Sequence, residues 1–446
     1  MDKIVVLGAG ESGIGAAVLA KKQGFEVFVS DFGKIKDNYR DLLEKYGLEY
    51  EQGGHTESKI LEAKEVIKSP GIRDDAPIIK KIVAKNIRVI SEIEFAGRYT
   101  NAKMICITGS NGKTTTTELT YKILKDAGLN VAIGGNVGRS FAMQVAEDKP
   151  FDYYVLELSS FQLDNMYNFR ADVAVLMNVT PDHLDRYEFK MQNYTNSKFR
   201  ITQNQGKNDV FIYFNDDPIS AEEVKKRTFN QQVWAFSVKE ELKLGAYFLD
   251  NGNLEVRLPE HHDSISPEGF QLAGKHNHCN IMAAVLTALY LGIPVDKIKQ
   301  SVDSFQPIEH RIEPAGVVDG VTYINDSKAT NVDAVYYALD AMKTKVVLIL
   351  GGVDKGNDYS QLDNLVKEKV RAIVAMGVDN KAIHAAFDSM VDIYDTKSMS
   401  ECLKKCREIA KSGDTVLLSP ACASFDLFTC YEDRGEQFKN QVKEMM

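Results

Sequence analysis

The sequence predicts an α/β protein with parallel sheets, divided into three domains. Short apolar runs that are typical of strands alternate with helical patterns along almost the whole chain. Glycine-rich turns join a strand-like run to a helix at residues 8–13 and again at residues 109–112. The length of 446 residues corresponds to about three domains.

The composition restricts the class of protein. A hydrophobic content of 44% with 26% charged residues is enough for a substantial core. The net charge of -9 argues against a nucleic-acid or membrane-surface partner. No apolar run is long enough for a signal peptide or a membrane span, so we expect a cytoplasmic protein. The six cysteines contain no C-x-x-C pair and are predicted to be reduced thiols.

The first predicted domain covers residues 1–97 and is Rossmann-like. Its GAGESG turn follows the apolar run IVVL, and Asp31 ends the next run, FEVFVSD. This spacing is typical of a dinucleotide-binding βαβ unit, in which glycines let the backbone approach a pyrophosphate at a helix N-terminus. Four strands are predicted here, in IVVLGAG, FEVFVSD, EVIKSPG and IRVISEIEF. Taken alone, the turn predicts a nicotinamide-dependent oxidoreductase.

The central domain, residues 98–303, contains a phosphate-loop motif. In MICITGSNGKTT a strand-like run leads through G-x-x-G-K-T into an amphipathic helix, although Ile107 stands where the longer Walker motif has a glycine. Loop N–H groups and the helix N-terminus bind phosphate, while Lys113 reaches the outer phosphates and Thr114 can ligate magnesium. We also expect a hairpin that turns at residues 250–253, a loop at HHDSISPEG, and a helix over HNHCNIMAAVLTALYLG.

Two further candidates follow strand-like runs in this domain. Glu157 ends YYVLE, and His183 comes shortly after VAVLMNV. Each has an ordinary structural interpretation, Glu157 as a buried structural acid and His183 as a helix-start residue. At the carboxyl ends of strands in one parallel sheet, however, they are predicted to converge on the ligand site.

The last domain, residues 304–446, is predicted to be Rossmann-like after a linker in FQPIEHRIEP. Its strand-like runs are VTYINDS, KVVLILGG, VRAIVAMG and DTVLLSP. Helical patterns separate these runs, which again indicates a parallel sheet.

Six motifs, in chain order, resemble those of the Mur ligase family: TGSNGKTT, LELSSFQL, NVTPDHLDRY, HRIE, INDSKATN and SPACASFD. The resemblance covers essentially the whole chain. It implies an ATP-dependent ligase that adds D-glutamate to UDP-N-acetylmuramoyl-L-alanine (UDP-MurNAc-L-Ala) through an acyl phosphate and a tetrahedral intermediate. It also implies two Mg²⁺ ions and no NAD or FAD. A monomer is the default expectation.

The resemblance also implies roles for individual residues. Lys198, within YTNSKFR, matches a lysine that the family carries as a carbamate, and His310 resembles a residue that holds the nucleotide. The catalytic candidates are Lys113, Glu157, His183 and Lys198, and the metal ligands are Thr114, Glu157, His183 and carbamylated Lys198. The ATP site would contain Gly109, Ser110, Asn111, Gly112, Lys113, Thr114, Thr115, Asn277, Arg311, Asp326 and Lys328. The UDP-substrate site would contain Gly10, Glu11, Ser12, Ser69, Pro70, Gly71, Asn136 and Ser159. The D-glutamate site would contain Thr330, Lys355, Ser424, Phe425 and Tyr431.

The sequence departs from the family beside Asp31, where Phe32 and Gly33 stand in place of a Thr-Arg pair that contacts UDP. Tyr431 also replaces a phenylalanine. Three other hypotheses remain at this point: the oxidoreductase, an ATP-gated switch protein without ligase activity, and a folylpolyglutamate synthetase. The C-terminal motifs favour the ligase, and they reassign GAGESG from a dinucleotide to the diphosphate of a UDP-sugar.

Overall fold

The computed structural model describes residues 2–147, 149–249, 252–272, 274–306 and 308–446. The chain forms two compact units. The first contains Met1–Val179 and Arg186–Phe305, and the second contains Thr180–Asp185 and Gln306–Met446. Two sheets lie in the first unit and one lies in the second. Within the described ranges, no helix is both long and apolar enough to cross a membrane.

The first sheet has five parallel strands in the order β3-β2-β1-β4-β5. Val5, Leu7 and Phe28 form its core with apolar residues of the fourth helix. The strands are β1 (Lys3–Leu7), β2 (Glu26–Asp31), β3 (Glu49–Gln52), β4 (Glu65–Lys68) and β5 (Arg88–Ile90). The helices are α1 (Glu11–Lys22), α2 (Asp37–Lys45), α3 (Glu57–Ile60), α4 (Pro77–Ala84) and α5 (Glu92–Ala96).

The second sheet has nine strands in the order β14-β13-β12-β11-β10-β9-β6-β8-β7, parallel from β7 to β12 and antiparallel in β12–β14. The strands are β6 (Lys103–Thr108), β7 (Val131–Gly135), β8 (Tyr153–Glu157), β9 (Val173–Leu176), β10 (Val210–Phe214), β11 (Gln232–Ser237), β12 (Gly245–Phe248), β13 (Leu254–Leu258) and β14 (His261–Ile265). The helices are α6 (Lys113–Asp126), α7 (Phe141–Ala146), α8 (Ser160–Asp164), α9 (Met191–Phe199), α10 (Pro218–Lys226), α11 (Lys275–Tyr290) and α12 (Val295–Asp303).

The third sheet has six strands in the order β15-β16-β20-β17-β18-β19, and only β15 is antiparallel to its neighbour. The strands are β15 (Glu313–Val318), β16 (Val321–Asn325), β17 (Val346–Leu350), β18 (Val370–Met376), β19 (Asp392–Thr396) and β20 (Thr415–Leu418). The helices are α13 (Val332–Ala341), α14 (Asp363–Lys369), α15 (Lys381–Phe387), α16 (Met399–Ile409) and α17 (Tyr431–Met445).

The central strand β17 shows how this third sheet is packed. Val346, Leu348 and Leu350 face a core with α13, α14 and α15, whereas Val347 and Ile349 face a core with α16 and α17. Successive side chains of a strand point to opposite faces, so a continuous apolar run is buried on both. The predicted α/β class with parallel sheets is therefore confirmed. The domain boundaries near residues 97 and 303 stay predictions.

Several local predictions need correction. HHDSISPEG was expected to be a loop, but its first five residues form β14. IRVISEIEF is a strand only as far as Ile90, because the Ser91 side chain accepts a hydrogen bond from the Glu94 N–H and so caps α5. The hairpin between β12 and β13 is present, and its predicted turn includes residues 250 and 251, which lie outside the described residues.

Candidate active site

The phosphate loop connects β6 to α6 in a backbone conformation that requires glycine. Gly109 has φ +152° and Gly112 has φ +82°, and a Cβ at Gly112 would stand 2.6 Å from Asn280 Oδ1. The Lys113 ammonium donates to the carbonyls of Gly109 and Ser110, both at 2.8 Å. The loop therefore combines an open helix N-terminus with a positive charge, which is the chemistry that a phosphate group needs.

Asparagines from two other elements hold the loop in place. Asn178, which follows β9, accepts from the Asn111 N–H at 2.8 Å and donates to the Asn111 carbonyl at 3.2 Å. Asn280 of α11 accepts from the Thr116 hydroxyl at 3.2 Å and donates to Asn277 at 3.1 Å. Asn277 is thus connected to the phosphate loop through α6. The sequence interpretation missed Asn178, although it lies inside the NVTPDHLDRY motif.

Lys198 is buried beside the same loop. Its side chain is on α9, the residue is 2% exposed, and Nζ donates to the Gly109 carbonyl at 2.6 Å. The ammonium also lies 5.0 Å from the centre of the Tyr194 ring. A buried lysine requires specific partners, so the alternative of an ordinary surface lysine is excluded.

Glu157 lies at the end of β8, next to β6 and the start of the loop. Its main chain pairs with Ile107, and one carboxylate oxygen accepts from Asn136 Nδ2 at 2.8 Å. The other oxygen, Oε2, is buried with no hydrogen-bond partner among the described residues. A buried carboxylate oxygen without a donor is costly unless a cation or another donor reaches it. Mg²⁺ prefers hard oxygen ligands of this kind, so the donor set fits a magnesium ion.

His183 belongs to the second unit together with the rest of residues 180–185, whereas Glu157 belongs to the first. His183 has φ +53°, and its Nε2 lies 3.6 Å from Asp182 Oδ2. The expected convergence of His183 with Glu157 stays a prediction.

The proposed substrate residues of the first sheet gather at its carboxyl edge. Gly10 precedes α1, and the Ser69 hydroxyl donates to the Gly8 carbonyl at 3.3 Å. A Cβ at Gly8 would lie 2.6 Å from Ser69 Oγ, so this close approach requires a glycine. The turn at residues 69–71 is held by Arg186, which donates to the carbonyls of Pro70, Gly71 and Ile72 at 3.2–3.4 Å.

Asp31 fixes two backbone turns at this edge by accepting hydrogen bonds. Its carboxylate accepts from the Ala9 N–H at 2.6 Å and from the Gly33 N–H at 2.7 Å. Both oxygens therefore hold the two glycine-containing turns. In a dinucleotide-binding βαβ unit the acid at this position binds the ribose, and such a contact would compete with these bonds.

Two remaining substrate candidates have partners from neighbouring elements. Glu11 accepts from the Ser140 N–H at 3.1 Å and from the Tyr39 hydroxyl at 3.3 Å. Ser159 forms a capping box with Gln162 at the start of α8. Both side chains are thus held in position before any substrate contact.

In the second unit, the nucleotide candidates surround Asp326. Its carboxylate accepts from the Ser419 hydroxyl at 2.7 Å and from the Ile312 N–H at 3.2 Å. Burial raises the pKa of Asp326 to about 7, against the opposing effects of the Ser419 hydrogen bond and the Arg311 charge. Arg311 Nε is itself buried with no hydrogen-bond partner among the described residues. Arg311 and Asp326, two of the ATP-site candidates, are therefore close enough to interact.

Lys328 and Tyr431 also meet in this unit. The Lys328 ammonium lies 5.3 Å from the centre of the Tyr431 ring, and the Lys328 N–H donates to the His310 carbonyl at 3.1 Å. Beneath them, fully buried Arg434 donates to the Ser327 hydroxyl at 2.9 Å and to the Cys422 carbonyl at 3.2 Å. Arg434 thus joins the DSKATN and SPACAS segments, a role that the sequence interpretation missed.

Four D-glutamate candidates lie on loops of the second unit, and the fifth, Tyr431, begins α17. Lys355 Nζ is 3.8 Å from Asp182 Oδ1, and Phe425 is 72% exposed. Ser424 Oγ is buried with no hydrogen-bond partner among the described residues, and Thr330 is half-buried. An exposed ring, a cation and an unsatisfied hydroxyl are suitable contacts for a small dicarboxylic acid.

Three family models match the chain. The Mur ligase middle domain matches residues 107–288, the glutamate ligase domain of Mur ligases matches residues 310–422, and the MurD N-terminal domain matches residues 3–78. Among solved structures, MurC of Thermotoga maritima has a TM-score of 0.64 at 18% identity and covers 100% of both chains. MurF of the same organism, in complex with ADP, has a TM-score of 0.62 at 17% identity over 94% of this chain and 96% of its own. These two structures support the fold.

Curated relatives match over their full length. The UDP-N-acetylmuramoylalanine–D-glutamate ligase of Bacteroides fragilis is 56% identical over 449 residues, with 100% of both chains covered. The enzyme of the same name from Cytophaga hutchinsonii is 53% identical over 100% of this chain and 99% of its own. The one from Salinibacter ruber is 39% identical over 100% and 98%. The resemblance that the six motifs predicted is confirmed, and the oxidoreductase interpretation of GAGESG is wrong. The chain belongs to the Mur ligase family, in the branch of the UDP-N-acetylmuramoylalanine–D-glutamate ligases.

Proposed function

We propose that this chain joins D-glutamate to UDP-MurNAc-L-Ala in an ATP-dependent reaction that yields an amide, ADP and phosphate. The observation that carries the proposal is the 56% identity over the full length to a relative of that name. The geometry supports it, because a phosphate loop with Lys113, buried Lys198 and Glu157 occupies the carboxyl edge of one sheet. Because the reaction consumes ATP and builds a UDP-linked precursor, we propose that the chain acts in the cytoplasm.

In the first step the substrate carboxylate attacks the γ-phosphorus of ATP. The bond to the bridging oxygen breaks, ADP leaves with its electron pair, and an acyl phosphate forms. This step is needed because a carboxylate is a poor electrophile, whereas a phosphate is a good leaving group. The loop N–H groups of residues 109–115 and the Lys113 ammonium stabilise the charge on the transferring group.

Four residues would hold Mg²⁺ in this step: Thr114, Glu157, His183 and Lys198 as a carbamate. Carbamylation converts an ammonium into an anionic oxygen ligand, which explains how a lysine can bind a cation. The unpartnered oxygen of Glu157 supports this donor set. Two ions, when bound, would supply positive charge to the phosphate oxygens.

In the second step the amine of D-glutamate attacks the acyl carbonyl carbon. A tetrahedral intermediate forms, and phosphate leaves with the electron pair of the broken C–O bond. We assign the recognition of D-glutamate to Thr330, Lys355, Ser424, Phe425 and Tyr431. In this set the Lys355 ammonium would pair with a carboxylate of D-glutamate. The adenine nucleotide would also contact Asn277, Arg311, Asp326 and Lys328.

The same proposal assigns the UDP-substrate to the edge of the first sheet. Gly10, Glu11 and Ser12 would face its diphosphate with the turn at residues 69–71, while Asn136 and Ser159 would lie near the reacting carboxyl group. We propose that the chain is a monomer with three domains. Residues 1–97 bind the UDP-substrate, residues 98–303 bind ATP, and residues 304–446 bind the amino acid.

Phosphate release by the purified full-length chain tests this function. With ATP and Mg²⁺ we expect release only when both UDP-MurNAc-L-Ala and D-glutamate are present, with a product mass that equals their sum less one water. L-glutamate, L-alanine and diaminopimelate serve as alternative acceptors, and a folate with L-glutamate tests the synthetase alternative. Turnover with another acceptor and none with D-glutamate would overturn the assignment. Nucleotide binding without any amide product would favour the switch hypothesis.

A further inference from the structure

The turn at residues 69–72, which follows β4, has its carbonyls bound by two cations. Arg186 donates at 3.2–3.4 Å to the carbonyls of three successive residues, Pro70, Gly71 and Ile72. The Ile72 carbonyl also accepts from the Lys68 ammonium at 2.9 Å. Lys68 is 2% exposed and pairs with Asp74 at 2.6 Å. The conformation of this turn therefore depends on charged side chains.

The carbonyl contacts also fix the direction of the N–H groups of the turn. The N–H of a trans peptide points opposite to its C=O, so the N–H groups of residues 71–73 point away from the Arg186 guanidinium. One of them, that of Ile72, closes the turn by donating to the Ser69 carbonyl at 3.1 Å. Backbone N–H groups that are held in one direction bind anions. Without Arg186 these peptides could rotate, and the N–H groups would lose their common direction.

An aromatic pair holds the guanidinium in place. Its carbon lies 4.3 Å from the centre of the Phe161 ring, a cation–π contact. The Phe161 ring stacks on that of Tyr187, with 6.2 Å between the centres and 12° between the planes. The Tyr187 hydroxyl donates to Asp164 at 2.8 Å. Because Phe161 and Asp164 are both on α8, Arg186 connects the turn of the first sheet to a helix of the second.

We propose that Arg186 is a positioning residue for the UDP-substrate. Its guanidinium holds the turn at residues 69–72 in the conformation that binds the substrate, and Phe161 holds the guanidinium against that turn. The planar fork of arginine reaches several carbonyls at once, which the single ammonium of a lysine cannot do. This inference rests on the proposed function, because that function assigns the turn to the UDP-substrate. Arg186 acts through the backbone of the turn.

Steady-state kinetics of the full-length chain test this role. Arg186→Ala should raise the KM for UDP-MurNAc-L-Ala about ten- to a hundredfold, the scale of losing hydrogen bonds from a charged group. The change should leave kcat and the KM values for ATP and D-glutamate within about threefold, because it weakens the binding of one substrate only. Millimolar guanidinium chloride should restore part of the affinity in Arg186→Ala. Arg186→Lys should give a KM between those of the wild type and Arg186→Ala.

Phe161→Leu tests the aromatic contact. Leucine keeps the apolar bulk but removes the ring face, so the KM for the UDP-substrate should rise less than in Arg186→Ala. The double variant should be no worse than Arg186→Ala alone, because Phe161 acts through Arg186. Hydrogen–deuterium exchange of the amides in residues 69–73 should become faster in both single variants, which reports on the turn without turnover.

Arg170→Ala is the matched control, because Arg170 is an exposed arginine that pairs with Asp172 at 3.0 Å, just before β9. It should leave every KM and the amide exchange of the turn unchanged. An unchanged KM for the UDP-substrate in Arg186→Ala, or an equal rise of all three KM values, would overturn the inference. Failure of the proposed function is a separate result, in which the wild type forms no product from D-glutamate. Calorimetric titration with UDP-MurNAc-L-Ala and the amide exchange would then still compare Arg186→Ala with the wild type.

Discussion

At the scale of single residues, burial decides what the motif residues can do. Lys198 could have been a solvated lysine on a short helix, but it lies buried against the Gly109 carbonyl. Asp31 stood at the position of a ribose-binding acid, but its oxygens hold two backbone N–H groups instead. In both cases the residue type was visible in the sequence and its partner was not, because each partner is more than 20 positions away or depends on a turn.

Lys198→Ala should lower the ligase rate by at least about a hundredfold, the scale of losing one electrostatic contact to a transferring group. The alanine removes the side chain that we propose as a carbamate, so acetate or propionate should restore part of the rate. Phosphate release measured with and without these acids checks the prediction. Lys190→Ala is the control, because this exposed lysine pairs with Glu188 on the surface. Full activity of Lys198→Ala would contradict the proposal.

At the scale of elements, most central strands were predictable, and most of the missed strands lie at sheet edges. The sequence interpretation missed the edge strands β3, β14, β15 and β19 and the central strand β11, whereas it predicted the edge strand β5. Central strands are buried on both faces and appear as continuous apolar runs. A polar strand such as EYEQ of β3 has no buried residue and no apolar run, so its sequence pattern resembles that of a loop. The helices α1, α6 and α11 were predicted because apolar periodicity and stop signals are local.

The α5–α7 contact offers a test at this scale. Glu92 at the start of α5 is fully buried and accepts from the Ser140 hydroxyl at 2.5 Å and the Ala142 N–H at 2.8 Å, both at the start of α7. Burial raises its pKa from 4.5 to about 7 despite these bonds. Between these values the folded state binds more protons than the unfolded state, so stability falls as pH rises through this window. The total loss is up to about 3 kcal/mol.

Glu92→Gln should remove this pH dependence, because glutamine does not titrate. Urea unfolding of both proteins at pH 5 and pH 8 measures how their free energies of unfolding change with pH. Glu26→Gln is the control, because Glu26 is exposed. The wild type should lose stability between the two pH values by more than Glu92→Gln does. Equal pH dependence in the two proteins would contradict the role of Glu92.

At the scale of the whole molecule, the chain divides the proposed chemistry between two compact units. The first unit contains both the phosphate loop and the UDP-substrate edge. Within it α1 approaches α7 so closely that a Cβ at Gly15 would stand 1.9 Å from Ser140 Oγ. The second unit contains the D-glutamate candidates on a sheet with helices on both faces. Separate cores predict more than one unfolding transition.

Arg434→Leu should destabilise the second unit by about 2–4 kcal/mol, because the Ser327 and Cys422 carbonyls lose a buried donor. Calorimetry combined with limited proteolysis assigns the transition that shifts. Arg407→Leu is the control, since this exposed arginine pairs with Asp319 in the same unit and should change stability by less than about 1 kcal/mol. An equal shift of the transitions of both units would show that their cores unfold together.

The sequence by itself determined the α/β class, the two glycine turns, most central strands and the family. Each of these is encoded in contiguous residues, as a motif or an apolar period. Only the tertiary structure decided that Lys198 is buried, that Asn178 and Arg186 hold the turns, and that the Arg186 guanidinium contacts the Phe161 ring. These facts depend on which segments, distant in the sequence, come into contact at a sheet edge. Such contacts result from many weak interactions throughout the fold, and no local sequence pattern predicts them.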